Sequence, residues 1–229
     1  MQPPTPSHLV AFAAKTDHWF QRASAALLNQ LPCRAGCAQC CIGVFPITRL
    51  DARLLHEGLA RLPADERRRI ADGALEQVAA LEAAEPRLKS SPSLDGWADE
   101  DIDRVVNAFH DVPCPALRDD RLCSLYAFRP LTCRSMGIPT REAAMVNGAC
   151  EVQTFVPIVR LSESLEAEEQ TLAQQESVQL AALTEATAEG EEVFLPYGFV
   201  SCDTGRRSRP VAGDEPERHH ASALDPRHR

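Results

Sequence analysis

The nine residues CRAGCAQCC hold four of the chain's nine cysteines, Cys33, Cys37, Cys40 and Cys41, and a second set follows at Cys114, Cys123, Cys133 and Cys150. Four thiols in nine residues, flanked by Arg34, Gly36 and Gln39, match neither the helical period nor strand alternation, so they are not a core stripe. Short spacings let one loop turn several sulfurs toward a common centre, and soft sulfur donors suit zinc, copper(I) or iron-sulfur clusters. No histidine lies inside either set, so a metal site here is mainly thiolate-ligated. Cys202 stands apart and reads as a non-ligand thiol of the kind that packs well in cores.

The compartment decides what such thiols are for. Lys15, Asp17, His18, Gln21 and Arg22 interrupt the apolar residues near the start. That pattern is neither a secretory signal nor a membrane span. The expected setting is the cytoplasm, where thiols stay reduced, and an odd count of nine fits complete disulfide pairing poorly. Metal ligands or catalytic groups are the expectation.

The chain has 229 residues, enough to bury a core without disulfides, and aromatics are only 5% while alanine and leucine recur. The expected fold is mainly α, with irregular cysteine-rich loops and few short strands, a single domain stapled by metal. Net charge of -9 argues against nucleic acid and against acidic membrane surfaces, because phosphate binding rests on clustered Lys and Arg. That charge is uneven. Between Leu161 and Thr204 there are nine Glu and one Asp but no Lys or Arg.

Ser7 caps an expected helix carrying Leu9, Phe12, Ala13, Phe20, Ala23, Leu27 and Leu31, which makes residues 1–32 an N-terminal helical unit ended by Pro32. Residues 33–160 form the cysteine-cluster domain, with a helical insertion at 46–110. Within the insertion Thr48 offers a cap for a helix bearing Leu50, Leu54, Leu55 and Leu59. Pro63 and Asp65 restart a longer helix to about Glu85, Pro86 to Gly96 reads as a loop, and Asp99 to His110 as a third helix. Asp119 and Asp120 suggest a tight turn between short extended pieces, followed by a helical turn over Leu125 to Phe128. FVPIVRL is apolar enough for a strand or a buried segment. Residues 161–204 form an acidic helical segment with Leu165, Leu172, Leu180 and Leu183 inside, and 205–229 a disordered tail.

Two sharper alternatives meet the spacing. Cys33-x3-Cys37-x2-Cys40 is that of radical enzymes whose three-cysteine cluster leaves one iron for S-adenosylmethionine. There the motif follows a barrel strand and has an aromatic residue before the last cysteine; here a helix precedes it and Gln39 takes that place. Cys37-x2-Cys40 is also a redox CxxC, but the usual βαβ setting is absent.

The cysteine cluster closing on Cys40-Cys41, then Cys114-Pro115-x-Leu117, Cys123, Leu125-Tyr126, Arg129-Pro130 and Cys133-Arg134, resembles the YkgJ-type cysteine-cluster family over about Cys33 to Phe45 and Cys114 to Cys150. The resemblance implies a zinc- or iron-chelating domain, sometimes labelled an iron-sulfur oxidoreductase. It implies Cys37, Cys40, Cys41, Cys114, Cys123 and Cys133 as ligands, with Cys33 and Cys150 at positions that only some members fill. Members that methylate a protein lysine share the cysteine pattern, but nothing here marks a methyl-donor pocket.

If residues 40 and 41 are extended, their side chains point to opposite sides. Cys40 would then face a centre made by its own loop, and Cys41 would reach toward Cys114, Cys123 and Cys133; the alternative is a single multinuclear site. Six to eight thiolates exceed what one tetrahedral zinc uses, and Cys114-Pro115 is similar to the Cys-Pro ending of ferredoxin runs. The expected cofactor is an iron-sulfur cluster, with zinc as the alternative. Arg34, Arg129 and Arg134 are placed to offset thiolate charge, while Tyr126 reads either as a sulfur neighbour or as core, and His110 as a helix-end residue. The expected function is a cysteine-ligated metal protein serving a small molecule or a protein partner, with redox chemistry as an iron-sulfur oxidoreductase. The alternative is a structural zinc-chelating or interaction module.

Overall fold

The computed structural model describes residues 8–26, 36–135, 138, 140–142, 145–147, 161–187 and 190–200. The protein is mainly α among these residues, with irregular cysteine-rich loops and strands of three residues each. Cys33, Cys150, Cys202, Arg34, the tail 205–229 and all of FVPIVRL except its buried Leu161 lie outside them.

Helix α1 runs His8–Ala26 and buries Phe12, Ala13, Trp19 and Ala23. The chain then passes the first cysteines and enters strand β1, Pro46–Thr48, which leads directly into helix α2, Arg49–Leu59. Thr48 caps α2 as expected: its hydroxyl accepts from Asp51 N (3.2 Å), and the Asp51 carboxylate accepts from Thr48 N (3.4 Å). This reciprocal box satisfies backbone donors at both ends of the first turn. Leu50, Leu54, Leu55 and Leu59 are all buried.

Helix α3, Ala64–Ala84, starts after Pro63 with Asp65 and Glu66 in its first turn, where carboxylates complement the helix dipole, and it buries Ile70, Ala74 and Leu81. Helix α4, Asp99–Ala108, repeats the acidic first turn and buries Val105. Short helix α5, Leu131–Ser135, carries Cys133, and a two-stranded antiparallel pair follows, β2 Thr140–Glu142 with β3 Met145–Asn147. The acidic segment is helical over α6, Glu163–Thr187, with Leu183 buried and Leu165 and Leu172 packed at the edge of apolar clusters.

The segment after α6 departs from the sequence expectation. Residues Glu192–Phe194 form strand β4, antiparallel to β1 with Ile47 opposite Val193, and a 3-10 turn covers Leu195–Phe199. Val193, Phe194, Leu195, Tyr197 and Phe199 enter the main core with Leu55, Ile70, Leu81 and Leu88. Two acidic residues precede this run, but its aromatic density pulls it inward, because each buried aromatic removes a large apolar area from water. A strand that far along the chain closes the core over α2 and α3.

Candidate metal centre

Cys41 and Cys114 are more than seventy residues apart in sequence, yet their backbones are zipped together. Cys114 N donates to Cys41 O (2.8 Å), Gly43 N to Val112 O (2.8 Å) and Val44 N to Phe109 O (3.2 Å), with Ile42 bridged antiparallel to Pro113. Gly43 sits at φ +101, and a Cβ there would lie 3.2 Å from His110 O, so glycine alone suits this crossing. The zipper brings the first cysteine loop against the second cysteine region.

The second region is a small hairpin. Arg118 N donates to Leu122 O and Ser124 N to Ala116 O, both at 2.9 Å, and Leu117 bridges Cys123. Asp119 and Asp120 make the expected turn, and Arg121 closes it at φ 64, the left-handed residue that a three-residue hairpin loop requires. A 3-10 turn over Tyr126–Phe128 then leads through Arg129 and Pro130 into α5. That turn seats on α2 at Gly58, where a Cβ would lie 2.6 Å from Phe128 Cβ.

Cys133 is held from the framework. The fully buried Asp51 accepts from Leu131 N (2.5 Å) and from the Thr132 hydroxyl (3.4 Å), so one carboxylate caps both α2 and α5. Burial pushes the Asp51 carboxyl up to about 6, against the hydrogen bonds that favour its charged form. The sequence signal for Asp51 was the Thr48-x-x-Asp51 box; nothing in the sequence marked its second use.

The six described cysteines, Cys37, Cys40, Cys41, Cys114, Cys123 and Cys133, are all free thiols of intermediate exposure. Gln39–Cys41 is a 3-10 turn rather than an extended piece. The premise of opposite-facing sulfurs is therefore corrected: Cys40 and Cys41 are hydrogen-bonded to each other. That bond, the thiol of Cys41 donating to the thiolate of Cys40, lowers Cys40 to about 6, and Arg129 adds to the effect. It raises Cys41, as do burial and the charges of Cys40, Cys114 and Cys123.

The other three follow the same logic. Burial and then the Cys123 charge push Cys114 up to about 12; burial raises Cys123 while Arg129 opposes it. Burial raises Cys133 most, with further contributions from Cys114, Asp51, Cys40 and Cys123. Five sulfurs from the first loop, the hairpin and α5 thus act on one another. Among the described residues, no three Cys, His, Asp or Glu side chains stand in an arrangement ready to hold an ion. The donor set fits a thiophilic metal in chemistry, since one sulfur favours the thiolate and the rest would lose protons on coordination.

The arginines divide. Arg134 is fully buried and spends Nε and Nη2 on the carbonyls of Arg129 (2.9 Å) and Ala127 (2.8 Å), while its Nη1 pairs with Asp17. Its hydrogen bonds hold the backbone rather than sulfur. Arg129 stacks on the ring of Tyr126 at 3.9 Å, and its charge favours the thiolates of Cys40 and Cys123. Tyr126 is 60% exposed, so it is not a core aromatic, and His110 bonds Asn107 O through Nδ1 (2.8 Å) at the end of α4.

A helical framework with six free cysteines carried by the first loop, the hairpin and α5 defines a cysteine-rich protein with soft donors for a metal. The chain belongs to the CxxCxxCC family, whose description reads "Putative zinc- or iron-chelating domain" and whose model matches residues 32–151. That span contains all eight cysteines of the two sets, while α1 and α6 fall outside it. No curated protein and no solved structure matches the chain. No helix among the described residues is long and apolar enough to cross a membrane.

Proposed function

We propose that Cys37, Cys40, Cys41, Cys114, Cys123 and Cys133, with Cys33 and Cys150, supply the ligands of one multinuclear thiolate centre, and that this centre is an iron-sulfur cluster serving redox chemistry. The observation that carries the reading is the backbone pairing that brings the Cys40-Cys41 turn against Cys114, with Cys123 on the hairpin and Cys133 on the helix that follows, more thiols than a single tetrahedral ion accepts, in a span that matches a zinc- or iron-chelating family. When bound, the cluster would supply one-electron chemistry; the chain's own part is to gather sulfurs and set their charge. Cytoplasmic residence, where thiols stay reduced, suits such a centre.

A second reading is a structural zinc site in an interaction module. It is favoured by where the sulfurs sit: a 3-10 turn, a hairpin and a five-residue helix, which a structural metal would tie together. Purification under strict anaerobiosis with metal and sulfide analysis and a visible spectrum decides between them. Iron with acid-labile sulfide and a brown chromophore supports the cluster. A colourless protein with near-stoichiometric zinc moves the conclusion to the second reading, and a chain that takes up neither metal overturns both.

Either metal should hold the fold as well. Thiolate-metal binding is worth on the order of 10 kcal/mol in small zinc domains, comparable to a whole domain's stability. Cys123→Ala or Cys133→Ala is therefore expected to lose metal and solubility together. A metal-free variant with native melting temperature and circular dichroism contradicts that expectation.

A further inference from the structure

We propose that Arg69 and Gln77, on one face of helix α3, are positioning residues for the metal centre, fixing the backbone on both sides of Cys114 before any ion binds. The inference rests on the thiolate-metal reading above and gives a role to a helix that carries no cysteine.

Cys114 lies between two prolines, and Pro113 and Pro115 have no N–H to give to a hydrogen-bond ladder. Their carbonyls are taken up from α3. Gln77 Nε2 donates to Pro113 O (2.8 Å), and Arg69 Nη1 donates to Pro115 O (3.1 Å). Cys114 itself donates its N–H to Cys41 O (2.8 Å) and accepts from Leu117 N (2.9 Å). Every backbone donor and acceptor from Pro113 to Pro115 thus has a partner, and the side chain of Cys114 is what the tripeptide has left to offer.

Arg69, Gly73 and Gln77 follow one another at a spacing of four, so they share a face of α3. A Cβ at Gly73 would lie 4.0 Å from Pro115 Cβ, an ordinary contact, which sets the α3 backbone directly against the tripeptide. Residues eight apart stand about 12 Å apart along a helix axis, yet the Arg69 and Gln77 side chains converge on carbonyls two residues apart. Arg69 also donates from Nη2 to Ser124 Oγ (3.4 Å), beside Cys123, so one guanidinium joins the two sides of the hairpin.

Helix α3 is anchored from the neighbouring stripe, where Ile70, Ala74 and Leu81 are buried in the main core with Val193 and Phe194. The clasp on Cys114 therefore takes its rigidity from apolar burial and not from metal. A ligand on a loose loop loses backbone freedom when it binds; one that is already ordered does not, and its affinity is higher by that difference.

Partners that orient a metal ligand without touching the ion change affinity about 10- to 100-fold when altered. Cobalt(II) is the probe, titrated anaerobically into the reduced full chain and competed by a chelator, with sulfur-to-cobalt absorption as the readout. Arg69→Met and Gln77→Leu keep most of the side-chain bulk and lose the donors. Together they are expected to weaken cobalt retention about tenfold. In a Cys114→Ser background the same pair should cost nothing further, because the ligand through which it acts is gone.

Wild-type cobalt retention in the folded pair overturns the proposal. So does a loss of the same size in the Cys114→Ser background, since a helix that merely props up the fold would act without Cys114. If Cys114→Ser holds no cobalt, hydrogen exchange of the metal-free chain decides. The Cys114 amide should then exchange about tenfold faster in the pair than in the wild type, with the Val44 amide unchanged; equal exchange at Cys114, or the same acceleration at both amides, overturns the proposal. If the pair does not fold, the two single variants are read in its place by the same criteria. A wild-type chain showing no sulfur-to-cobalt absorption strikes the thiolate-metal reading and the proposal with it, whereas the failures above strike the role of α3 alone.

Discussion

In the helical framework Ile70, Ala74, Leu81, Val193 and Phe194 have no exposed surface, and helices and the β1–β4 pair satisfy the backbone. In the cysteine region all six described cysteine residues are of intermediate exposure, and the longest regular element among the described residues is the five-residue α5. The framework's order comes from burial, whose strength grows with apolar area. The cysteine region is short of that resource and borrows its order: Asp51 from α2, the Gly58 notch and Asp17 from α1 each grip it from the helical side. The metal-binding half is shaped by residues of the other half, and ligand identity alone does not determine its geometry.

Deleting the framework's most buried aromatic is the largest test of this asymmetry. Phe194→Ala empties a site in the main core, opposite Pro46 of β1 and edge-on to Trp97 with ring centroids 6.1 Å apart, and about 3 to 5 kcal/mol of stability should disappear in denaturant titration. Metal retention should fall with it. Intact cobalt or iron uptake in a variant with a molten framework would show that the cysteine region orders itself.

A pH experiment separates the two regions by a different property. Glu176 on α6 is raised to about 7, first by burial and then by the carboxylates of Asp51 and Glu192. The folded state therefore holds this proton more tightly than the unfolded chain. Its contribution is fully present below about pH 4.5, the ordinary value for Glu, and is lost as pH rises through about 7. Glu176→Gln should flatten that decline and raise stability at neutral pH by roughly 1 to 3 kcal/mol, while the metal content stays unchanged. A variant with the wild-type pH profile would place the titration elsewhere.

The joint between the regions gives the smallest effect. Gly58→Ala gains roughly 1 kcal/mol of helix propensity, but the added methyl would sit 2.6 Å from Phe128 Cβ and 2.9 Å from Leu125 Cδ2. Overpacking of this kind costs about 1 to 3 kcal/mol, so a net loss of about 1 kcal/mol is expected in the melting of the holo protein. The displaced turn carries the chain from Cys123 to Arg129, so metal release by chelator should also quicken. Faster release without loss of helicity would sharpen the view that the notch serves the centre.

Much of the framework was legible because its signals are local. Thr48 with Asp51, Pro63 before two acids, and the Asp119-Asp120 turn each announce one element within four residues. The thiol sets were equally plain. What the sequence hid depends on distance along the chain. Acidic neighbours masked the aromatic run that becomes β4 and its turn, and no local pattern tells Arg134 to bond the carbonyls of residues 127 and 129. The Cys40-Cys41 pair misled for a related reason: adjacent side chains diverge in a strand but not in a 3-10 turn, and the turn is fixed by Cys41 N donating to Ala38 O (2.9 Å).

The backbone zipper between residues 41–44 and 109–114 also sets an order of events during synthesis. The first cysteines leave the ribosome about seventy residues before Cys114, roughly 4 to 15 s at ordinary elongation rates. For that interval the loop's thiols have no partner from the second set, and β4, which completes the core, emerges later still. A nascent chain would expose bare thiols to any ion or oxidant it meets, so selectivity for one metal must be enforced by what the cell supplies during those seconds, before the finished protein can choose.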